Sequence, residues 1–493
     1  MITFQEVLNF IEPISVSGSP PERMGKLCQD SREVRKGDLF IAVKGVTSDG
    51  HNFIREAVER GASVVIAETE DPLNEVCRIV VDNTRELLGP LAQFFAGNPA
   101  GKMTVVGITG TNGKTTVATL VWQILTAMNK KASLLGTVEK RILTESYPSQ
   151  LTTADPIELA EDMRQMAEAG SRYVVMEVSS HALHQKRVKG IEFDVAAFTN
   201  LSHDHLDYHE SMNDYAESKR KLFNQLTDRS WAITNADDAR GLWMVNSTPA
   251  NVLSFSFHGK GLINASMISS SPEGNHIKVD ETDLFSPLAG RFNAYNVTEA
   301  LLICTALGLD GAEVAKILAG CKGAPGRMER VDVSISDKDN GPQVFVDYAH
   351  TPDALDNVSS TLKEISKQGQ KLTIVFGCGG DRDPSKRPQM AGIAEKYGDK
   401  IYVTTDNPRT EKPQDIIDQI LNGFSDLSTV QSIVSREEAR ERAISEAGPD
   451  EIVLIAGKGH ETYQEVHGLR SHFDDREVAR RALLHKRKNG EVL

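Results

Sequence analysis

The chain has 493 residues, 40% hydrophobic and 25% charged, with 55 basic against 69 acidic side chains and a formal charge of −14. At ~150 residues per domain this length predicts roughly three domains, and the acidic balance argues against a nucleic-acid groove or an anionic membrane as the main partner. Five scattered cysteines (Cys28, Cys77, Cys304, Cys321, Cys378) without a C-x-x-C pair argue against a disulfide scaffold or a structural zinc. The first residues, MITFQEVLNFIEP, lack the basic start and apolar core of a secretory signal. The longest apolar runs, such as Ile452 to Ala456, are strand-length, far below the ~20 residues that span a bilayer. A cytoplasmic, soluble, multidomain protein is expected.

Residues 1–98 read as a small α/β unit. Asp38 to Val43 and Ser63 to Ala67 are short apolar runs typical of buried strands, with a helical stretch, Phe53 to Arg60, between them. The breaker-rich Gly97-Asn98-Pro99-Ala100-Gly101 marks a boundary. A second unit is expected over 99–327. It opens with a strand at Met103 to Ile108, a Gly-rich loop and a helix at Thr115 to Met128, and has further strands at Tyr173 to Val178 and Val195 to Thr199. Strands alternating with helices predict parallel βαβ units. Residues 250–290, richer in Ser and Gly, predict a small antiparallel patch. Gly323 to Arg327 is the second boundary. The third unit, 328–493, has predicted strands at Val344 to Asp347, Leu372 to Phe376, Lys400 to Thr404 and Glu451 to Ala456, with a solvated end at His485 to Asn489.

The loop Gly107-Ile108-Thr109-Gly110-Thr111-Asn112-Gly113-Lys114-Thr115-Thr116 joins the first strand of the second unit to its helix. Glycines let backbone N–H groups turn in around phosphate oxygens, and the helix start adds positive potential. Lys114 is placed to reach the β/γ-phosphates and Thr115 to offer its hydroxyl to Mg²⁺. The strict G-x-x-x-x-G-K-[ST] pattern fails, because its first glycine falls on Ile108.

In open parallel sheets ligands bind beyond the carboxyl ends of the strands, and polar groups cluster there. One strand end is followed by Glu177, Ser179, Ser180 and His181, its neighbour by Asn200, His203, Asp204, His205 and Asp207. A carboxylate and an imidazole at neighbouring strand ends suit a nucleotide-bound Mg²⁺ or Mn²⁺. In the third unit the strand ends carry Gly377 to Asp383, Asp406-Asn407-Pro408-Arg409, and Gly457-Lys458-Gly459-His460-Glu461. Arginine forks bind carboxylates bidentately and a glutamate suits an ammonium, so Arg382, Arg409 and Glu461 point to a zwitterionic amino acid.

Taken together, TGTNGKTT at 109–116, TNLSHDHLDYH at 199–209, GRFNAYN at 290–296, PGRMER at 325–330, DYAHTPD at 347–353 and AGKGHE at 456–461 resemble the Mur ligases, which build the peptide stem of peptidoglycan. Asp30-Ser31-Arg32 followed by Gly37-Asp38-Leu39-Phe40 is similar to the N-terminal domain of members that add the third residue. The resemblance implies an α/β fold of three domains: a small N-terminal uridine-nucleotide-binding domain, a central P-loop ATPase domain with a parallel sheet, and a C-terminal Rossmann-like domain. It implies ATP and Mg²⁺ (or Mn²⁺) as cofactors, UDP-N-acetylmuramoyl-L-alanyl-D-glutamate and meso-diaminopimelate as substrates, an acyl-phosphate intermediate, and a monomer without nucleic-acid or membrane partners.

By the same resemblance ATP lies on Gly110, Thr111, Asn112, Gly113, Lys114, Thr115 and Thr116, with Asn293, Asn296, Arg327 and Asp347 also contacting nucleotide. Thr115, Glu177 and His205 are implied metal ligands. Lys219, in Tyr215-Ala216-Glu217-Ser218-Lys219, matches a lysine that the family carbamylates, which would make it a fourth. Lys114, Lys219, His205 and Glu177 form the implied catalytic set. Ser31, Thr152, Thr153, Ser179, Gln185 and Arg187 are placed against the nucleotide-sugar peptide, where the family's Thr-Thr-Pro reads Thr152-Thr153-Ala154. Arg382, Asp406, Asn407, Pro408, Arg409, Gly457 and Glu461 are placed against the incoming amino acid. Members that add diaminopimelate carry arginine at the position of Arg409. A buried arginine facing no anion is costly, so lysine would be rejected. A lysine-adding sister enzyme, a folylpolyglutamate synthetase sharing the phosphate loop, and a nucleotide-gated binding protein remain the alternatives. Arg409 speaks against the first, the Asp30-Ser31-Arg32 domain against the second, and Arg382, Arg409 and Glu461 against the third.

Overall fold

A computed structural model describes residues 2–45, 48–70, 76–333 and 341–490, with side chains to 486. The chain forms two compact units, one of residues 1–256, 260–262 and 302–308, the other of 257–259, 263–301 and 309–493. Among the described residues no helix is long and apolar enough to cross a membrane. All five cysteines are buried thiols.

The first unit holds two sheets. The smaller has the order Ser15–Ser17, Cys77–Val80, Val64–Ala67, Leu39–Ile41, Leu27–Cys28, parallel except for its first pair. Its inner strands are buried on both faces, which is why they read as unbroken apolar runs. The helix Thr84–Phe95 starts on an Asn83 cap and shares a core with the helix Pro156–Glu168 through Leu88, Leu91 and Ala160.

The larger sheet centres on Thr104–Thr109. Tyr173–Glu177 and then Ala132–Leu135 lie on one side of it, and Val195–Phe198, Trp231–Asn235 and Asn251–Ser256 on the other, all parallel. Chain order therefore reverses direction at Thr104–Thr109, and the crevice at such a switch point is where an open sheet takes its ligand. Predicted and observed strands differ here by a residue or two at each end. The one reassignment is Asn251–Ser256, expected within an antiparallel patch but paired parallel to Trp231–Asn235, its last three residues buried as on a sheet interior.

In the second unit Ile263–Ser271, Gly274–Val279 and Thr282–Ser286 form the antiparallel patch. A six-stranded sheet has the order Glu329–Arg330, Gln343–Asp347, Ile452–Ala456, Leu372–Phe376, Lys400–Thr404, Val430–Ile433, parallel but for the first pair. Separate apolar cores cover its two faces, one holding Leu355, Met390 and Ile417, the other Ala439, Ile444 and Leu483. A hairpin, Tyr463–Val466 with Leu469–His472, follows the sheet. The helix Asp475–Gly490 runs through the tail expected to be solvated, and Lys486 donates to the Ser445 carbonyl at 2.5 Å. The side chains of Arg487 to Asn489 lie outside the described residues.

Candidate active site

The phosphate loop turns directly from the strand Thr104–Thr109 into the helix Lys114–Ala127. Gly113 precedes that helix at φ +88°, and Gly110 sits at φ +148°, where a Cβ would come within 1.9 Å of Thr199 Oγ1. A side chain at Gly110 would clash, and one at Gly113 would be strained. The neighbouring strand end braces the loop: Thr111 N–H donates to the Asn200 carbonyl at 2.8 Å and Asn112 N–H to Asn200 Oδ1 at 3.0 Å. Lys114 Nζ donates to the Gly110 and Thr111 carbonyls, both at 2.9 Å.

Four of the expected residues meet around this loop. Thr115 Oγ1 donates to Glu177 Oε2 at 3.0 Å, and Lys219 Nζ donates to the Gly110 carbonyl at 2.7 Å. Glu177 is almost fully buried at the end of its strand and also accepts from Thr137 N–H (2.7 Å) and Thr137 Oγ1 (3.0 Å). Thr137 went unnoticed in the sequence, since a threonine in a turn carries no chemical signature. Lys219 is buried over the Tyr215 ring, and burial, then Lys114, push its pKa well below the ordinary lysine range. His205 sits at φ +54° with its ring 4.9 Å from that of His181. Burial, and also Lys114 and Lys219, favour its neutral form against the pull of Asp204. His209, in contrast, is buried between Ser180 (3.0 Å) and Asp214 (3.2 Å), and His203 is exposed.

The donor chemistry suits a divalent cation. A carboxylate and a hydroxyl are hard oxygen ligands of the kind Mg²⁺ takes, usually with phosphate oxygens and water, and a neutral imidazole suits Mn²⁺. Among the described residues no three His, Cys, Asp or Glu side chains form a cluster able to hold a metal alone. A cation here would therefore depend on Thr115, nucleotide oxygens or a modified Lys219.

A cleft of about 630 Å³ in the same unit is lined by Ser31, Arg32, Glu56, Arg85, Gln185 and Arg187 among others. Ser31 Oγ donates to Glu56 at 2.8 Å, and Arg187 donates to Gln185 and to the Thr153 carbonyl at 2.8 Å. Thr153 Oγ1 in turn donates to the Glu177 carbonyl at 2.9 Å and accepts from Ser179 N–H at 3.1 Å. Thr152 Oγ1 lies 3.0 Å from Thr137 Oγ1, whose own proton goes to Glu177. The cleft is thus linked, residue by residue, to the carboxylate beside the phosphate loop. Tyr208, overlooked in the sequence, accepts from Gln185 at 3.0 Å.

The second unit holds the other expected residues. Asn296 donates to Asn293 Oδ1 at 3.0 Å, and both are buried. Asp347 accepts from Met328 N–H (2.6 Å) and Ala349 N–H (2.8 Å), and the Arg327 guanidinium lies 4.9 Å from the Tyr348 ring centre. Arg409 NH1 donates to the Gly380 carbonyl at 2.7 Å, and a Cβ on Gly379 would meet that nitrogen at 3.0 Å and Arg382 Cγ at 3.9 Å. The two arginines therefore flank one loop. Asn407 Nδ2 donates to Glu461 Oε2 at 2.9 Å. Asp406 turns inward, 3.6 Å from buried Arg436, and Gly457 is packed so closely that a Cβ would sit 2.7 Å from Asp406 Oδ2. Pro408 is buried. Lys458, within the AGKGHE segment but assigned no role from sequence, contacts both Asn407 and Glu461.

Three family descriptions match the chain: the Mur ligase catalytic domain at 26–96, the Mur ligase middle domain at 108–304, and the Mur ligase glutamate ligase domain at 326–459. The UDP-N-acetylmuramoyl-L-alanyl-D-glutamate–2,6-diaminopimelate ligase of Parabacteroides distasonis is 39% identical over 480 residues, covering 97% of this chain and 98% of its own. That of Bacillus licheniformis is 40% identical over 490 residues, covering 97% and 99%. A solved structure of a ligase of that name aligns with TM-score 0.73 at 32% identity over 99% of both chains. The Mycobacterium tuberculosis folylpolyglutamate synthase, at 19% identity and TM-score 0.58 over 76% of this chain and 92% of its own, shares the fold. The chain belongs to the Mur ligase family.

Proposed function

We propose that this chain is an ATP-dependent ligase that joins meso-2,6-diaminopimelate to UDP-N-acetylmuramoyl-L-alanyl-D-glutamate, releasing ADP and phosphate, in the synthesis of peptidoglycan precursors. The observation that carries the reading is the meeting of Lys114, Thr115, Glu177 and Lys219 at the phosphate loop. Relatives of that name, matched over nearly their whole length, support the choice of substrates. In this reading residues 1–98 hold the nucleotide sugar, 99–327 hold ATP, and 328–493 hold the amino acid. The protein acts as a cytoplasmic monomer.

The chemistry has two steps. The substrate carboxylate attacks the γ-phosphorus and ADP leaves, giving an acyl phosphate. The amine of the amino acid then adds to the acyl carbon, its nitrogen gives up a proton, and phosphate departs from the tetrahedral intermediate. The first step brings two anions together, so positive charge must be waiting where it develops. Lys114 supplies it from the loop, while backbone N–H groups of 110–116 hold the phosphates. A divalent cation, held by Thr115, Glu177, His205 and a carbamylated Lys219, supplies further charge neutralisation when bound. Ser31, Thr152, Thr153, Ser179, Gln185 and Arg187 place the nucleotide-sugar peptide. Asn293, Asn296, Arg327 and Asp347 are the further residues assigned to the nucleotide. Arg382 and Arg409 take the carboxylates of the amino acid, while Glu461 takes its distal ammonium.

The test is phosphate release measured with each substrate omitted in turn, with the product identified by mass. A ligase requires ATP, the muramyl dipeptide and the amino acid together. Phosphate release without the amino acid, or preferential use of lysine, overturns the reading.

A further inference from the structure

Lys458 lies behind the 406–409 segment, on the loop that follows the strand Ile452–Ala456. Its side chain is fully buried. The ammonium reaches three groups: it donates to Asn407 Oδ1 at 2.7 Å and to the Tyr463 carbonyl at 2.7 Å, and lies 3.4 Å from Glu461 Oε2. An ammonium has three protons and accepts nothing, so these partners use its whole capacity. A buried cation is tolerated only where each proton is matched in this way.

Those contacts dictate how the neighbouring polar groups face. Asn407 Oδ1 accepts from Lys458 and from Glu465 N–H (3.0 Å), while Nδ2 donates to Glu461 Oε2. Turning the amide over would set its NH₂ against an ammonium and its oxygen against a carboxylate. Both Lys458 and Asn407 fall on Oε2 of Glu461, and Oε1 takes no hydrogen bond from any described residue. The hairpin anchored through Tyr463 continues the clamp. Gln464 Nε2 donates to the Asp406 carbonyl at 2.8 Å, Arg409 N–H donates to the Glu465 carbonyl at 3.2 Å, and His467 N–H donates to the Arg409 carbonyl at 2.7 Å.

We propose that Lys458, with the 463–472 hairpin it anchors, is the positioning group of the acceptor site: it fixes the Asn407 amide and the Glu461 carboxylate so that Glu461 Oε1 meets the amino acid's ammonium while Arg409 meets a carboxylate. The inference rests on the acceptor role proposed above for 406–409 and names the group that sets its geometry.

The test is the KM for each of the three substrates in Lys458→Met, Gln464→Met, Asn407→Ala and the Lys458→Met/Asn407→Ala double variant. Lys458→Met raises the KM for diaminopimelate about tenfold or more and leaves those for ATP and the nucleotide peptide within roughly twofold. Gln464→Met, which removes no charge, raises the same KM by about threefold. In the Asn407→Ala background Lys458→Met adds less than its effect alone, because both act through one contact. A uniform change in all three KM values, or full multiplication of the two effects, overturns the proposal. If Lys458→Met does not fold, Gln464→Met decides, and an unchanged KM for diaminopimelate overturns it. A wild-type chain that takes lysine instead defeats the acceptor assignment, but the KM for lysine in these variants still reports on Lys458, so the two failures are distinguishable.

Discussion

Lys219 Nζ donates to the Gly110 carbonyl at 2.7 Å from a side chain that is 1% exposed. Burial and the nearby Lys114 push this group toward the neutral amine, which is the form that adds carbon dioxide. In that addition the N–C bond forms, a proton goes to solvent, and a neutral amine becomes an anion beside the phosphate loop. Equilibration with ¹³C-bicarbonate is expected to give a carbamate carbon resonance that Lys219→Met lacks. Turnover of that variant falls by about a hundredfold or more, as expected when transition-state charge is left unmatched. Identical carbon spectra for the two proteins would remove the assignment.

Glu177 accepts three hydrogen bonds from two threonines, and the two do different work. Thr115 lies on the helix start, in the first turn after the loop. Thr137 stands behind, with its N–H on Oε1 and its hydroxyl on Oε2. Glu177→Gln removes the negative charge and sets an amide NH₂ against donors, so the Mg²⁺ concentration for half-maximal activity rises by about tenfold or more. Thr137→Val keeps the backbone donor and loses the hydroxyl, which makes its shift in the same direction smaller. An unchanged Mg²⁺ requirement in Glu177→Gln would exclude the carboxylate from metal binding.

What the sequence revealed and what it hid divide along physical lines. Strands buried on both faces, such as Leu372–Phe376 and Ile452–Ala456, were visible as apolar runs because nothing polar interrupts them. The phosphate loop was visible because the backbone at 110 and 113 takes a positive φ that favours glycine. Asn251–Ser256 was misplaced because a strand with a half-exposed start carries the Ser-rich pattern of a surface hairpin. Thr137, Tyr208 and Lys458 escaped because their importance is relational. Each holds a group already recognised, across 40, 23 and 51 residues of chain, and no local spacing encodes such a contact.

Arg409 combines a half-buried guanidinium with a left-handed backbone, φ +50°. A non-glycine residue there costs about 1 kcal/mol, so the segment carries strain that the hairpin bonds to Glu465 and His467 hold in place. Arg409→Ala and Arg409→Gly both lose the carboxylate fork, and the KM for diaminopimelate rises by about a hundredfold in each while that for ATP is little changed. The two part on stability: the glycine variant melts above the alanine variant because it relieves the strain. A pair with equal melting temperatures would show the backbone to be unstrained, and an unchanged KM would take Arg409 out of the acceptor site.

His460, beside Tyr348 at a ring separation of 5.0 Å, has its Nδ1 buried without a hydrogen-bond partner among the described residues. Burial first, then Arg327 and Arg476, push its pKa down to about 4. An unfolded histidine takes up its proton near pH ~6.5, so between that value and about 4 the unfolded chain binds a proton that the folded one refuses. The sign follows directly: stability is full above the unfolded value, falls as pH drops through this window, and levels off below it. His460→Gln, which cannot titrate, is expected to show a shallower decline in melting temperature from pH 7 to 4.5, with the two curves converging in slope above pH 7. Parallel curves throughout would mean that His460 takes up its proton in the folded protein as readily as in the unfolded chain.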